Sequence, residues 1–457
     1  MLVVRARRAV LPGGTAPATV LVEDGRIVAV DVPGRDLPAA AEVVDLGDDE
    51  VLLPGLVDSH VHVDEPGRTD WEGFATATAA AAAGGVTTLV DMPLNSVPPT
   101  VDAAALAVKR DAARGAVAVD VAFWGGAVPL RDGAPDPAGA VDPDRMAALV
   151  AAGVCGFKCF LTDSGVPEFP PVGPDDLVLA ARTCAELGVP LIVHAEDDAV
   201  LAAAPGPGPG AAGTPDYAAF LASRPVRAET VAVRRLAEVA AATGARVHVL
   251  HVSAVEAADE VAAARRAGLA LTAETCPHYL TLDAETLAST AGKCCPPVRA
   301  AGNREALWAA LADGRIDAVV SDHSPCPPAL KAGGFARAWG GVSSLELGLR
   351  LVWTGAAARG LGLDAVVRAM CTAPAALAGL AAKGSIAVGA DADLVAFAPD
   401  ATGVVDPARL HHRHRVSPYG GTRLRGQVRR VWLRGRAPGA GRLITPTATS
   451  ADRREPA

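Results

Sequence analysis

Long apolar runs are missing from this chain of 457 residues. No stretch approaches the roughly 20 apolar residues that a membrane-spanning helix needs. The opening MLVVRARRAVLPGG carries arginines but no uninterrupted apolar segment, so it does not read as a signal peptide. The alanine-rich TATAAAAAGG after Trp71 is broken by threonine and glycine and reads as a helix. Basic charge is also short: 42 Lys and Arg stand against 51 Asp and Glu, a formal net charge of −9. Phosphate binding needs a basic face, so nucleic acid is excluded as the expected partner. The eight cysteines include no CxxC pair and no small-secreted spacing. They are expected to be reduced thiols of a cytoplasmic protein, the vicinal Cys294 and Cys295 included.

What is present is material for a large core, since half of the residues are hydrophobic. The first fifty residues alternate apolar and polar positions (ATVLVEDGRIVAVD) between Gly and Asp turns, as short antiparallel strands do. The texture returns near the end in SIAVGADADLVAFAPD and QVRRVWLRGR. Between them lie eight apolar runs, each followed by an alanine- and leucine-rich helical stretch: LLPGLVDSHVH, VTTLVDMP, VAVDVAFWG, VCGFKCFL, PLIVHAE, RVHVLHVS, LALTAETCPHYL and IDAVVSDHSP. Continuous β-rich runs separated by helices indicate a parallel sheet covered on both faces, and eight is the count of a closed (β/α)8 barrel. The expected fold is therefore α/β. A TIM-like barrel over residues 51–380 carries a small β-sandwich built from residues 1–50 and 381–440, and a disordered tail covers 441–457. Loops 202–215 and 325–341 follow the fifth and eighth runs and are expected to border an active site.

The histidines gather at run ends. His60 and His62 end the first run, His194 the fifth and His251 the sixth; Asp322 ends the eighth and Lys158 lies near the end of the fourth. C-terminal strand ends of a barrel converge on one mouth, so these six become neighbours. His60 and His62, two apart, face the same way on a strand. Of His248 and His251, three apart, only one is expected to point inward; His251 is the better ligand, and His248 is placed outside the barrel. Imidazole and carboxylate suit zinc or its first-row neighbours, cobalt or manganese. Lys158 has two readings: a lysine salt-bridged to a carboxylate, or a lysine carboxylated by carbon dioxide into an anionic carbamate that bridges two cations. His278 in CPHYL is left between a structural role and one facing the ligands or substrate. HHRHR (His411, His412 and His414) reads as an exposed or packed segment beside the sandwich. Asp391 and Asp393 are given no catalytic role, while Arg68 and Asp70 are expected to orient the rim and cap the first helix.

The stretch PGLVDSHVHVDEPGRTDWEGF resembles the cyclic amidohydrolases: dihydroorotases, dihydropyrimidinases (hydantoinases) and allantoinases. So do DMPLNSVPPT, GFKCF, VHAED, HVS, ETCPHYL, PPVR, SDHSPC and GSIAVGADADLV, which together run along nearly the whole chain. The resemblance implies a binuclear centre. His60 and His62 would hold the more buried metal, His194 and His251 the other, carboxylated Lys158 would bridge them, and Asp322 would ligate the buried metal and act as base. It tips Lys158 towards the carbamate. Two cations would acidify a bridging water, with Asp322 taking its proton and returning it to the leaving ring nitrogen.

Within that family the allantoinases are the best match, on HVDEPGRTDWEGF, the extra Leu94 before Asn95, GFKCFLTDSG and HHRHRVSPY. Dihydroorotases carry an arginine where this chain has Asp64, which is expected to repel a substrate carboxylate. Hydantoinases carry a tyrosine where it has Asp163. Allantoin, hydrolysed to allantoate, is thus the expected small-molecule substrate. Asn95, Cys295, Ser324 and Gly340 are its expected contacts. A hydantoinase or dihydropyrimidinase, or a metal-free scaffolding relative, is the alternative. The resemblance also suggests a homotetramer or dimer.

Overall fold

The computed structural model describes residues 1–31, 41–207 and 216–447. The chain termini meet in one hydrogen-bonded sheet, ordered Arg423–Trp432, Leu394–Val404, Val51–Pro54, Leu2–Leu11, Gly14–Glu23, Arg26–Asp31, with Glu42–Asp45 also paired to Leu2–Leu11. Period-2 alternation turns Val4, Ala6, Val20, Val22, Leu394 and Trp432 into one shared core. This sheet takes in Val51–Pro54, so the boundary expected at residue 50 lies closer to Gly55. The run read as one strand is broken there: a Cβ on Gly55 would sit 2.1 Å from Thr87 Oγ1.

Eight parallel strands form the barrel: Leu56–Val61, Val86–Asp91, Asp120–Phe123, Phe157–Phe160, Leu191–His194, Val247–Val249, Leu271–Thr275 and Ala318–Val319. Neighbours pair in sequence order, and the third joins the fourth through Gly125–Gly126 and the amide of Cys155, which donates to Phe123 O at 2.9 Å. The ring closes where Val61 bridges His323 and the His62 amide donates to His323 O at 2.8 Å.

Alternation sorts the strand residues. Leu191, Val193, Val247, Val249, Leu271 and Ala273 join the outer core beneath the helices. Lys158, Ile192, His248 and Thr272, level across four strands, face the interior. His248 is thus inside the barrel, contrary to expectation. The strand ends at Val249, and His251 has φ of 36°, so period 2 no longer governs the three-residue spacing and both histidines point inward.

Lys383 ties sheet to barrel. Its Nζ lies 2.6 Å from Asp120 on the third barrel strand, 2.9 Å from Asp391 and 2.7 Å from Asp393. Asp391 and Asp393, given no catalytic role in the sequence, are both engaged by this lysine. Residues 441–447 are ordered rather than disordered: Val121 and Leu443 bridge, and the Ile444 amide donates to Val121 O at 2.8 Å. Edge pairing on the third strand supplies the backbone partners that an isolated tail would lack. Residues 448–457, and 208–215 of the first rim loop, lie outside the described residues.

Candidate metal centre and active site

At the C-terminal mouth a cavity of about 290 Å³ is lined by His60, His62, Lys158, His194, His251 and Asp322. Asn95, Cys295, Ser324 and Gly340 line the same cavity, so all ten residues singled out in the sequence meet there. Asp322 Oδ1 lies 3.1 Å from His60 Nε2 and 3.6 Å from His62 Nε2. His194 Nδ1 lies 3.0 Å from His251 Nε2. Donor atoms of His60, His251 and Asp322 all fall within 4.8 Å of one another.

Buried carboxylates set which nitrogen of two of these histidines faces the centre. Glu274 Oε1 is 2.6 Å from His60 Nδ1, and its Oε2 is 3.1 Å from His248 Nε2. Glu196 Oε2 is 2.9 Å from His194 Nε2. A ring N–H given to a carboxylate leaves the other nitrogen's lone pair for a metal and raises its basicity. Burial, followed by the Lys158 charge, drives His60 and His62 well below the usual histidine range, and burial with neighbouring cations does the same to His194 and His251. The four rings are therefore neutral donors. Lone pairs crowded at 3 Å without protons between them are what a cation relieves, so the donor set fits a metal pair.

Lys158 is 1 % exposed. Its Nζ lies 3.4 Å from His60 Nε2 and 4.8 Å from the Phe160 ring centre, and among the described residues no carboxylate pairs with it. Burial pushes its amine down to about 8, against the opposing pull of Asp322 and Glu274. Burial pushes Asp322 up to about 7, partly offset by Lys158. Asp322 (φ 42°) and His251 both hold left-handed backbone, as does Asn95 (φ 65°), the strain that accumulates where a site over-determines its residues.

Arg68 orients the rim as expected. It donates to Asn95 O at 2.7 Å, pairs with Glu168 at 2.5 Å and lies over the Trp71 ring. The helix-capping role expected of Asp70 belongs to Glu65, whose Oε2 accepts from the Phe74 amide at 2.8 Å; the cap residue of helix Phe74–Gly84 is Gly73, which has no side chain to do so. Asp70 instead offers its carbonyl to His414 Nε2 at 2.7 Å, and Arg413 packs on Glu72, so HHRHR clasps the loop after the first barrel strand. Asp64 does not line the cavity. It is 1 % exposed, and burial beside Asp91 and Glu72 drives its carboxyl well above the usual range against the opposing pull of Asn95 and Lys109. Burial disfavours the charged form of this walled-off acid, so it repels an anion in the cavity less than an exposed carboxylate would. His278 is buried with neither ring nitrogen partnered, and burial holds it at about 3.

Several residues of the site escaped the sequence reading. Glu196 sits in VHAED, two residues from His194, where a carboxylate near a candidate ligand is the signal that marks it; Glu274, in ETCPHYL, has no lining residue close by in the sequence. Arg224, Arg337 and Trp339 also line the cavity. Arg337 and Trp339 come from the second rim loop; Arg224 follows a short helix and carries no local motif.

Residues 51–437 match the amidohydrolase family. An allantoinase of Streptomyces avermitilis is 52% identical over 436 residues, covering 95% of this chain and 94% of that protein. An allantoinase of Escherichia coli is 39% identical over 441 residues, with 95% and 94% covered. Among solved structures, the L-hydantoinase (dihydropyrimidinase) of Arthrobacter aurescens superposes with a TM-score of 0.89 at 31% identity, covering 97% of this chain and 99% of its own. With a metal-fitting donor set at the mouth of a (β/α)8 barrel and near-complete coverage in each comparison, the chain belongs to the amidohydrolase family of metal-dependent hydrolases.

Proposed function

We propose that this enzyme opens the ring of allantoin by hydrolysing a cyclic amide bond, giving allantoate. The observation that carries the reading is the 52% identity to an allantoinase along nearly the whole chain, together with a complete set of site residues in one cavity. His60 and His62 would hold one divalent cation and His194 and His251 a second, zinc by preference, with Lys158 between them and Asp322 on the first. When bound, such a pair acidifies water and polarises the amide carbonyl. A carboxylate of Asp322 accepts the attacking water's proton and returns it to the ring nitrogen, without which the amide nitrogen leaves poorly. Lys158 would carry a carbamate. Its support is a buried amine lowered to about 8, close enough to neutrality to offer the free base that attacks carbon dioxide, with no carboxylate in salt-bridge contact with it among the described residues.

The ring is set by what the cavity offers. Allantoin is neutral and rich in donors and acceptors, matching Asn95, Ser324 and the backbone at Cys295 and Gly340. A hydantoinase remains the competing reading on structural grounds. Cytoplasmic location fits eight free cysteines, and among the described residues no helix is long and apolar enough to cross a membrane. A homotetramer or dimer is the assembly to test by light scattering.

Specificity constants for allantoin, hydantoin, dihydrouracil and dihydroorotate decide the substrate. A charge-assisted bond of about 1.5–3 kcal/mol, absent where a dihydroorotase has its arginine, should leave dihydroorotate roughly ten- to a hundredfold behind allantoin. Equal constants for those two, or a preference for hydantoin or dihydrouracil, would overturn the proposal.

A further inference from the structure

Glu196 is fully buried, yet it serves two groups at once. Its Oε2 meets His194 Nε2 at 2.9 Å and accepts from Arg224 Nη1. Arg224 in turn lines the cavity beside His194, Cys295 and Gly340, with 23% of its side chain exposed. Among the described residues no acceptor takes its Nε or Nη2, so these donors remain for whatever enters. The residue is also held from behind: Arg299 donates to Arg224 O at 3.2 Å and is itself fixed by Glu229 at 2.5 Å and by Ser253 Oγ at 3.0 Å. The Glu of VHAED thus fixes the Arg224 guanidinium, while the Ser of HVS and the Arg of PPVR, to which the hydrolytic site assigns no task, hold the Arg224 backbone through Arg299.

A buried carboxylate left without its cation would be an uncompensated charge next to a metal ligand, so the pair stands or falls together. A guanidinium with unused planar donors suits an oxygen acceptor better than an apolar group. With the scissile amide at the histidine cluster, two acceptors are left for Arg224: the second ring carbonyl, which hydantoin shares, and the carbonyl of the open-chain ureido arm, which hydantoin lacks.

We propose that Arg224 binds the ureido carbonyl of the substrate and so sets the preference for allantoin over rings that lack this arm, and that Glu196 is a positioning residue orienting both Arg224 and His194. The inference rests on the allantoin reading above.

The test uses the full-length enzyme, with metal content, melting temperature, kcat and KM measured for wild type, Arg224→Gln, Arg224→Lys and Glu196→Gln on allantoin and hydantoin. Arg224→Gln should lower kcat/KM for allantoin about 10–100-fold, the range for one charge-assisted bond. The loss should fall mainly in KM and exceed the loss on hydantoin at least about tenfold. Arg224→Lys should recover part of it, and both should keep their metal. Glu196→Gln should also raise the dissociation constant of one of the two bound ions about 10–100-fold, read with zinc in a chelator competition. Equal losses on both substrates, or an unchanged allantoin KM, would overturn the role of Arg224. Unchanged zinc affinity in Glu196→Gln would overturn the role of Glu196. Should Arg224→Gln fail to fold, Arg224→Lys decides alone: an allantoin KM equal to wild type refutes the claim. If wild type itself prefers hydantoin, the allantoin reading fails together with the ureido arm, while the zinc measurement still judges Glu196.

Discussion

Replacing Asp322 by Asn changes one oxygen to an NH2 with almost no change of shape, which makes it the cleanest probe of the proton transfer. Asp322 Oδ1 sits 3.1 Å from His60 Nε2 and 3.6 Å from His62 Nε2, so an amide oxygen in the same place can still coordinate weakly. Four histidines and Lys158 remain, and most of the metal should stay bound. What disappears is a carboxylate that burial raises to about 7, well placed to take and return a proton near neutral pH. General acid–base assistance is worth about 10²–10⁴ in rate, or roughly 3–5 kcal/mol of barrier. Because the same group serves both attack and departure, the upper end of the range is expected. His278 is the nearest rescue, but burial holds it at about 3. Held that low, it is a weak proton acceptor near pH 7 and a poor substitute. Metal content and turnover are to be measured on one sample. A variant that keeps its metal and a tenth or more of normal turnover would remove Asp322 as the base.

Three further outcomes are expected. Lys158→Ala should be nearly inactive and partly restored by short carboxylic acids such as acetate; density showing an unmodified Lys158 beside two fully occupied metal positions would refute the carbamate. His60→Ala should lose metal and activity in parallel on titration with chelator, and full activity after exhaustive metal removal would sink the mechanism. Glu274→Gln, which weakens the hold on His60 Nδ1, should reduce metal affinity about 10–100-fold while leaving the fold intact by circular dichroism; an affinity equal to wild type would show that His60 needs no such partner.

The barrel was legible because strand and helix periods are local properties: eight apolar runs with helical stretches between them can close in few ways, and the C-terminal strand ends then converge. That the six residues proposed as ligands share one cavity followed from that convergence and from the spacing of His60 and His62. Spacing stopped working once the chain left the strands. His248 and His251 both face inward because the backbone at His251 turns left-handed beyond Val249. Asp64 is legible as an acid along the chain, but only packing shows that it is walled off and driven towards its neutral form. Likewise Glu65 rather than Asp70 caps the first helix, a choice made by a loop's path in space.

The amino-acid order determined which elements form and which residues reach the mouth, because alternation and motif spacing act within a few residues. Tertiary structure alone decided how those residues are tuned. Glu274 reaches His60 across 214 positions. Arg224 joins Glu196 across 28. The burial that neutralises four histidines and lowers Lys158 is summed over every neighbouring strand. Desolvation and hydrogen bonding depend on distances of a few ångströms between segments far apart in the chain, and no local pattern encodes those distances.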